Sequence, residues 1–209
     1  GFIIVDANND KYVIGKPEKE NPIKIRLLDK KLNFKLIFSP ALYFGEAYTS
    51  GSIKIEKTLA EFKGLKHRSQ IIAKKRGVVF VNDSKATNAE ASAHALATYE
   101  KIYWIAGGIS KEGGIDRLSP YFDRIACAYL IGTASEVFSN TLSDTPHVVS
   151  ETLDKALPQA VKDALAAGGG VVLFSPACAS FDQFENFEKR GAAFCELVNE
   201  QISRLGAVA

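Results

Sequence analysis

The 209-residue sequence contains no methionine and only three cysteines, Cys127, Cys178 and Cys195. An odd cysteine count without a CxxC pair argues against a disulfide framework and for a reducing, cytoplasmic setting. The missing methionine points to a fragment or a processed chain. No apolar run approaches 18 residues, so no membrane span is expected. The opening GFIIVDANND lacks the basic region, apolar core and small-residue cleavage site of a signal peptide. Neither sign of charge dominates: 26 Lys and Arg stand against 24 Asp and Glu, a net charge of +2, so no basic field marks a nucleic-acid binder. There is no GxxxxGK[ST] loop. No GxGxxG follows a strand-like run either, which disfavours a dinucleotide oxidoreductase. Internal repeats and low-complexity segments are also missing.

The residues present divide into two styles. A hydrophobic fraction of 46% and a charged fraction of 24% fit an ordinary globular protein of one large or two small domains. Residues 1–66 carry short alternating runs, KYVIG, IKIRLL, FKLIF and SIKIEK. Asn8-Asn9-Asp10 and Asn21-Pro22 punctuate them as turns, and Pro17 to Glu20 form a polar connector. This part is expected to be a small β-rich piece. In TLAEFKGLKHRSQ (58–70), Leu59, Phe62 and Leu65 recur at helical spacing, Gly64 is a helix stop and HRSQ reads as a linker. A domain boundary is expected there, with the second domain spanning 67–209.

From residue 71 apolar runs alternate with helical stretches. The runs VVFVN (78–82), IYWIAG (102–107), IACAYLIG (125–132), HVVS (147–150) and VVLFSP (171–176) are hydrophobic throughout rather than alternating. Strands of that kind are buried on both faces of a mostly parallel sheet. The helical stretches are 88–98, 134–142, 151–167 and 181–205. The fold class is therefore α/β, with helices flanking the sheet. In such sheets ligands collect at the carboxyl ends of the strands.

Four polar clusters fall at such ends or at the boundary. In Asn82-Asp83-Ser84-Lys85-Ala86-Thr87-Asn88, Thr87 or Asn88 can cap the next helix. A cap does not explain Lys85, because a cation is disfavoured at a helix N-terminus unless an anion joins it. Asp83 can accept from a ribose hydroxyl or orient Lys85. In Gly107-Gly108-Ile109-Ser110-Lys111, two glycines let the backbone approach a ligand, although a flexible loop reads equally well. Lys111 supplies a second cation. In SPACASFDQF, hydroxyls and free N–H groups at a strand-to-helix turn can receive a carboxylate. Cys178 there reads as a small buried hydrophobe and Ser180 as a helix cap that can share its turn with a ligand. At the boundary, Arg68 reads as a solvated linker residue or as a cation reaching a phosphate. His94 and His147 read as structural.

Taken together, GLKHR, VNDSKATN, IAGGxxK and LFSPACASFDQFENFEKRG resemble the carboxy-terminal part of the Mur ligases of peptidoglycan synthesis, in the branch that adds D-glutamate. The resemblance covers roughly 58–209 and fades in 1–57, which would be the remnant of an incomplete central domain. It implies a Rossmann-like glutamate-ligase domain acting with ATP and Mg2+. ATP would phosphorylate the carboxylate of UDP-N-acetylmuramoyl-L-alanine, and the amine of D-glutamate would attack the acyl phosphate. The resemblance assigns nucleotide binding to Arg68, Asn82, Asp83 and Lys85. It assigns D-glutamate to Thr87, Lys111, Ser180 and Phe187, and catalytic roles to Lys85 and Lys111. The phosphate loop, the magnesium ligands and the UDP-binding domain would lie upstream, so this chain alone is expected to be inactive. A cytoplasmic monomer is implied. A ligase of the folylpolyglutamate synthetase type, or a binding module without catalysis, is the alternative.

Overall fold

The computed structural model describes residues 2–16, 23–29, 53–55 and 65–207. The chain divides into two compact units, residues 1–63 and 64–209.

In the first unit, β1 (Phe2–Val5), β2 (Lys11–Ile14), β3 (Ile23–Leu27) and β4 (Ile53–Ile55) form a sheet in the order β2-β1-β3-β4. β1 runs antiparallel to β2 and parallel to β3. The Asn8-Asn9-Asp10 turn is tied by Asp6, whose carboxylate accepts from the Asn8 and Asp10 N–H groups at 2.9 Å. Val5, Ile25 and Leu27 are buried. FKLIF and the helix expected before Gly64 lie outside the described residues.

The second unit is built on β5 (Gln70–Lys75), β6 (Val78–Asn82), β7 (Ile102–Gly107), β8 (Ile125–Ile131), β9 (His147–Glu151) and β10 (Gly170–Phe174). Their order is β5-β6-β10-β7-β8-β9, with every pairing parallel except β5 with β6. Helices α1 (Ala89–Thr98), α2 (Ser135–Thr141), α3 (Leu153–Ala166) and α4 (Phe187–Ala207) connect or follow the strands, and a 3-10 helix spans Asp116–Arg124. The fold is the α/β class expected.

Side-chain alternation within the apolar strands explains the layers. Val81, Trp104, Ala106 and Leu130 face α1, α2 and the 3-10 helix, packing with Leu96, Leu118 and Phe138. Phe80, Tyr103, Ile105 and Tyr129 face the other way onto α3 and α4, meeting Leu157, Val161, Phe194 and Val198. A strand so placed needs apolar residues at every position. Burying each large side chain contributes about 1.5–3 kcal/mol, which fixes the strands rigidly enough to aim the loops at their ends.

One strand was not expected. Gln70 reads as the end of the linker and 71–75 carry no strand assignment, yet residues 70–75, QIIAKK, form β5 at the sheet edge. Lys75 pairs with Val78, leaving Arg76-Gly77 as a two-residue hairpin turn. Both turn residues have positive φ, +48° and +79°, as such turns require. The lysines and the half-exposed Ile71 suit an edge, not a core strand.

Candidate functional site

Register sets the site. Asn82 pairs with Phe174 and Ile105 with Phe174, while Gly107 pairs with Ile131, so β6, β10, β7 and β8 end nearly level. β10 is inserted between β6 and β7, which are consecutive in the parallel part of the chain. The loops after β6, β10 and β7 therefore meet at a switch point of the sheet.

Beneath these loops lies a buried polar floor. The Asp83 carboxylate accepts from the Ser175 hydroxyl at 2.7 Å and from the Ser69 N–H at 2.9 Å. Burial pushes its pKa up, against the pull of those two bonds and of Arg68. Asn82 is fully buried: its amide N–H groups face the Gly191 carbonyl, His67 Nδ1 and Cys195 Sγ, and its oxygen accepts from the Ser84 N–H. His67 is 2% exposed and lies against Gly191, where any Cβ would fall 2.4 Å from its Nδ1. Its pKa is lowered, first by burial and then by Lys66, with Glu188 opposing.

Ser84 and Arg190 bind the loops to one another. The Ser84 hydroxyl donates to the Phe187 carbonyl at 2.9 Å and receives Arg190 Nε at 3.1 Å. Arg190 Nη2 donates to the carbonyls of Ser84 and Cys178 at 2.9 and 3.0 Å. The glycine loop is stitched to the SPACAS turn by a reciprocal pair, Ile109 N–H to the Ala179 carbonyl and Ala179 N–H to the Ile109 carbonyl, both 3.0 Å. Gly108 makes this approach possible. Its φ is +130°, and a Cβ there would lie 2.3 Å from the Ala179 carbonyl oxygen. Asp182 extends the stitching to the loop after β8, accepting from the Thr133 N–H at 3.2 Å.

Above the floor the charges are exposed. Arg68, Asp83, Lys85, Asn88, Glu90 and His94 are among the residues lining a cleft of about 750 Å³. Lys85 Nζ stands 5.7 Å from the centre of the Phe187 ring. An adjoining hollow of about 450 Å³ shares Asn88 and Glu90 and adds Lys111, Gly113 and Arg117. Lys85 and Lys111 thus flank the N-terminus of α1, whose free N–H groups favour anions.

The structure brings Arg68, Asp83 and Lys85 to one cleft and Lys111 to its neighbour. Thr87 and Phe187 are half-buried beside them, and Ser180 is 3% exposed in the turn stitched to Gly108. Asn88, not Thr87, caps α1: its side-chain oxygen accepts from the Ala91 N–H at 2.8 Å, leaving Thr87 without that duty. Ser180 does not cap a helix. Residues 181–186 form turns, α4 starts at Phe187, and Asn186 caps it by accepting from the Lys189 N–H at 2.7 Å.

Asn82 sits in the floor and presents nothing to the cleft. His67 belongs to no exposed linker. His94, read as structural, is exposed on the cleft wall, and its place two turns into α1 is the signal that could have found it. His147 is structural, with Nε2 2.7 Å from the Ser139 hydroxyl. Cys178 is fully buried, and burial pushes its thiol up to about 12, which makes it inert. Sequence reading also missed Arg190 and Ser84, whose partners lie far apart in the chain. Among the described residues no group of His, Cys, Asp and Glu is arranged to hold a metal ion, and no helix is long and apolar enough to cross a membrane.

The comparisons with known proteins agree with this geometry. The family model described as the Mur ligase glutamate ligase domain matches residues 67–178. The UDP-N-acetylmuramoylalanine–D-glutamate ligase of Rhizobium meliloti is 58% identical over 139 residues, 65% of this chain and 30% of that relative. The ligase of the same name from Agrobacterium fabrum is 56% identical over 144 residues, 68% and 31% respectively. That from Caulobacter vibrioides is 57% identical over 143 residues, 68% and 30%. The match thus spans about three-tenths of the length of these relatives. The family model covers more than half of the 209 residues, and the chain belongs to the Mur ligase family.

Proposed function

We propose that this chain carries the amino-acid-binding part, and a share of the nucleotide-binding part, of an ATP-dependent ligase. The reaction joins D-glutamate to UDP-N-acetylmuramoyl-L-alanine in cytoplasmic peptidoglycan precursor synthesis. The observation that carries this reading is the pair of adjoining clefts in which Arg68, Lys85 and Lys111 gather around one helix N-terminus. Three cations lining adjoining clefts at a helix N-terminus are best explained by an anionic ligand with more than one acidic group. The names of the relatives supply the particular ligand.

In this reading Arg68 and Lys85 hold phosphate oxygens, and Asp83, anchored by Ser69 and Ser175, holds the Arg68 side of the cleft in shape. Lys111 and Thr87 take one carboxylate of D-glutamate, and the turn of Ser180 with Phe187 takes the other. Two fixed carboxylates leave the amine one direction in which to point, and such orientation is worth several kcal/mol of a bimolecular barrier. Bound ATP supplies the phosphoryl group that activates the acceptor's carboxylate. Lys85 and Lys111 stabilise charge that develops as the amide forms. In this reading Mg2+ is held by residues outside this chain.

The sequence has no GxxxxGK[ST] loop, so in this reading the chain by itself binds without turning over ATP. Calorimetric titration of the 209-residue chain with D-glutamate and with ADP checks the reading. Binding of D-glutamate that disappears in Lys111→Ala, with L-glutamate binding weakly or not at all, is the expected result. Failure of both ligands to bind, or ATP-dependent ligation by the chain alone, overturns it.

A further inference from the structure

Arg190 has no place in the reading above, and its surroundings are unusual. It is 1% exposed in the first turn of α4, where the helix dipole disfavours a cation. Three of its five N–H groups go to neutral oxygens of Ser84 and Cys178. Phe174 lies beneath it, 5.9 Å from ring centre to guanidinium carbon. Nη1 is buried and has no partner, one of two such side-chain atoms among the described residues. It lies 3.3 Å from the point where a Cβ on Gly108 would stand, so it faces the underside of the Gly107–Gly108 turn.

Taking a guanidinium out of water costs several kcal/mol, and neutral acceptors return only part of that. Burial lowers its pKa to about 10, with Cys178 and the Asp182 carboxylate opposing but not offsetting it. Such a charge persists where something else benefits from it, and a buried polar group without a partner needs an explanation of that kind. Two benefits are visible. The guanidinium donates to the turns after β6 and β10 and lies close beneath Gly108 in the turn after β7, so it sets their mutual positions. It also lies under the turn that leads to Lys111 and the turn that carries the buried Ser180.

We propose that Arg190 is the positioning residue of the strand-end site: it locks the three turns in one geometry and supplies, from beneath, a permanent positive charge that a bound acidic amino acid balances. Nη1 is closed off from solvent, so Arg190 acts through the turns and not by touching the ligand. The charge half of this proposal rests on the D-glutamate reading above. The locking half does not.

The test uses Arg190→Lys, which keeps the charge and loses the fork, and Arg190→Met, which loses both. Hydrogen exchange reads the lock. In both variants the amides of Gly108, Ile109 and Ala179 should exchange at least tenfold faster, while Trp104 and Tyr129 in the central strands change less than twofold. Unchanged loop exchange, or uniform acceleration across the sheet, overturns the lock. Calorimetry with D-glutamate reads the charge: affinity should fall about tenfold in Arg190→Met, with Arg190→Lys recovering at least threefold of it. Equal losses in the two variants overturn the charge half. If the unaltered chain binds no D-glutamate, the charge half falls together with the function proposed above, and exchange still decides the lock. Should Arg190→Met fail to fold, Ser84→Ala removes the acceptor of Nε, together with the hydroxyl's bond to the Phe187 carbonyl, and should loosen the same three amides.

Discussion

The floor of the strand-end site and its rim treat charge in opposite ways. Asp83 and Arg190 are 4% and 1% exposed, and nearly every polar atom they carry is matched to a neighbouring turn. Arg68, Lys85 and Lys111 stand in solvent. Floor residues hold a shape, so their loss should appear as instability. Rim residues keep their groups for something outside the chain, so their loss should appear in binding alone. Substitutions can break this division in either direction.

The largest effect is expected at Gly108. An alanine there must adopt φ near +130° and push its Cβ against the Ala179 carbonyl, 2.3 Å away. The conformation alone costs about 1–3 kcal/mol, and the clash adds to it. Gly108→Ala should therefore lose about 3 kcal/mol or more in urea unfolding. A loss below about 1 kcal/mol would mean that the glycine turn can swing away from SPACAS, and the floor would be no floor.

Ser175→Ala comes next. It leaves Asp83 Oδ2 buried without its hydroxyl donor, a change worth about 1–3 kcal/mol. The sign against pH follows from the raised pKa of Asp83. The native state holds this proton more tightly than the unfolded chain, so stability falls as pH rises through the window above the ordinary value of about 3.9. Removing the Ser175 donor raises the pKa further and should steepen that fall. An unfolding midpoint for Ser175→Ala that matches the parent at pH 7 would show Asp83 to be solvated after all.

How far this site could be read from the sequence depends on the distance over which each residue works. Apolar runs such as VVFVN and IYWIAG announce buried parallel strands because every position must be apolar, and they ended where expected. QIIAKK was hidden because an edge strand carries lysines and because Arg-Gly is a rarer hairpin turn than Asn-Gly. Lys85 and Lys111 were legible as cations in places that local structure does not favour. Asn82, His67 and Arg190 were not legible in their true roles. Asn82 and His67 meet Gly191 across more than a hundred residues, and Arg190 meets Ser84 across a similar gap. No local pattern encodes such meetings. Of Thr87 and Asn88, both offered as caps, the stronger capper Asn88 holds the duty, while the cap expected at Ser180 falls to Asn186 because the helix starts later than the apolar pattern suggested.

Lys85→Ala sharpens the comparison from the rim. Its Nζ stands over the Phe187 ring, an exposed cation–π pair worth at most about 1 kcal/mol. Stability should stay within about 0.5 kcal/mol of the parent, while ADP affinity falls about tenfold. Destabilisation beyond about 1 kcal/mol with unaltered ADP binding would move Lys85 from the rim to the floor.

The smallest effect tests whether His67 belongs to the floor. Its Nδ1 faces the amide N–H of Asn82, which suits the neutral ring and not the imidazolium. Burial and Lys66 both lower its pKa. A lowered histidine pKa means that the unfolded chain binds the proton more readily than the native state does. Its contribution is thus fully present above the ordinary value of about 6.5 and shrinks as pH falls towards the folded-state value. Taken alone, this contribution lowers the urea midpoint between pH 7.5 and pH 5.5. Asp83 acts with the opposite sign, so the parent's profile alone does not isolate the histidine. The difference between the parent and His67→Gln does: the parent's advantage should narrow on acidification. A difference that stays constant across that range would mean that His67 is solvated and that the floor stops at Asn82.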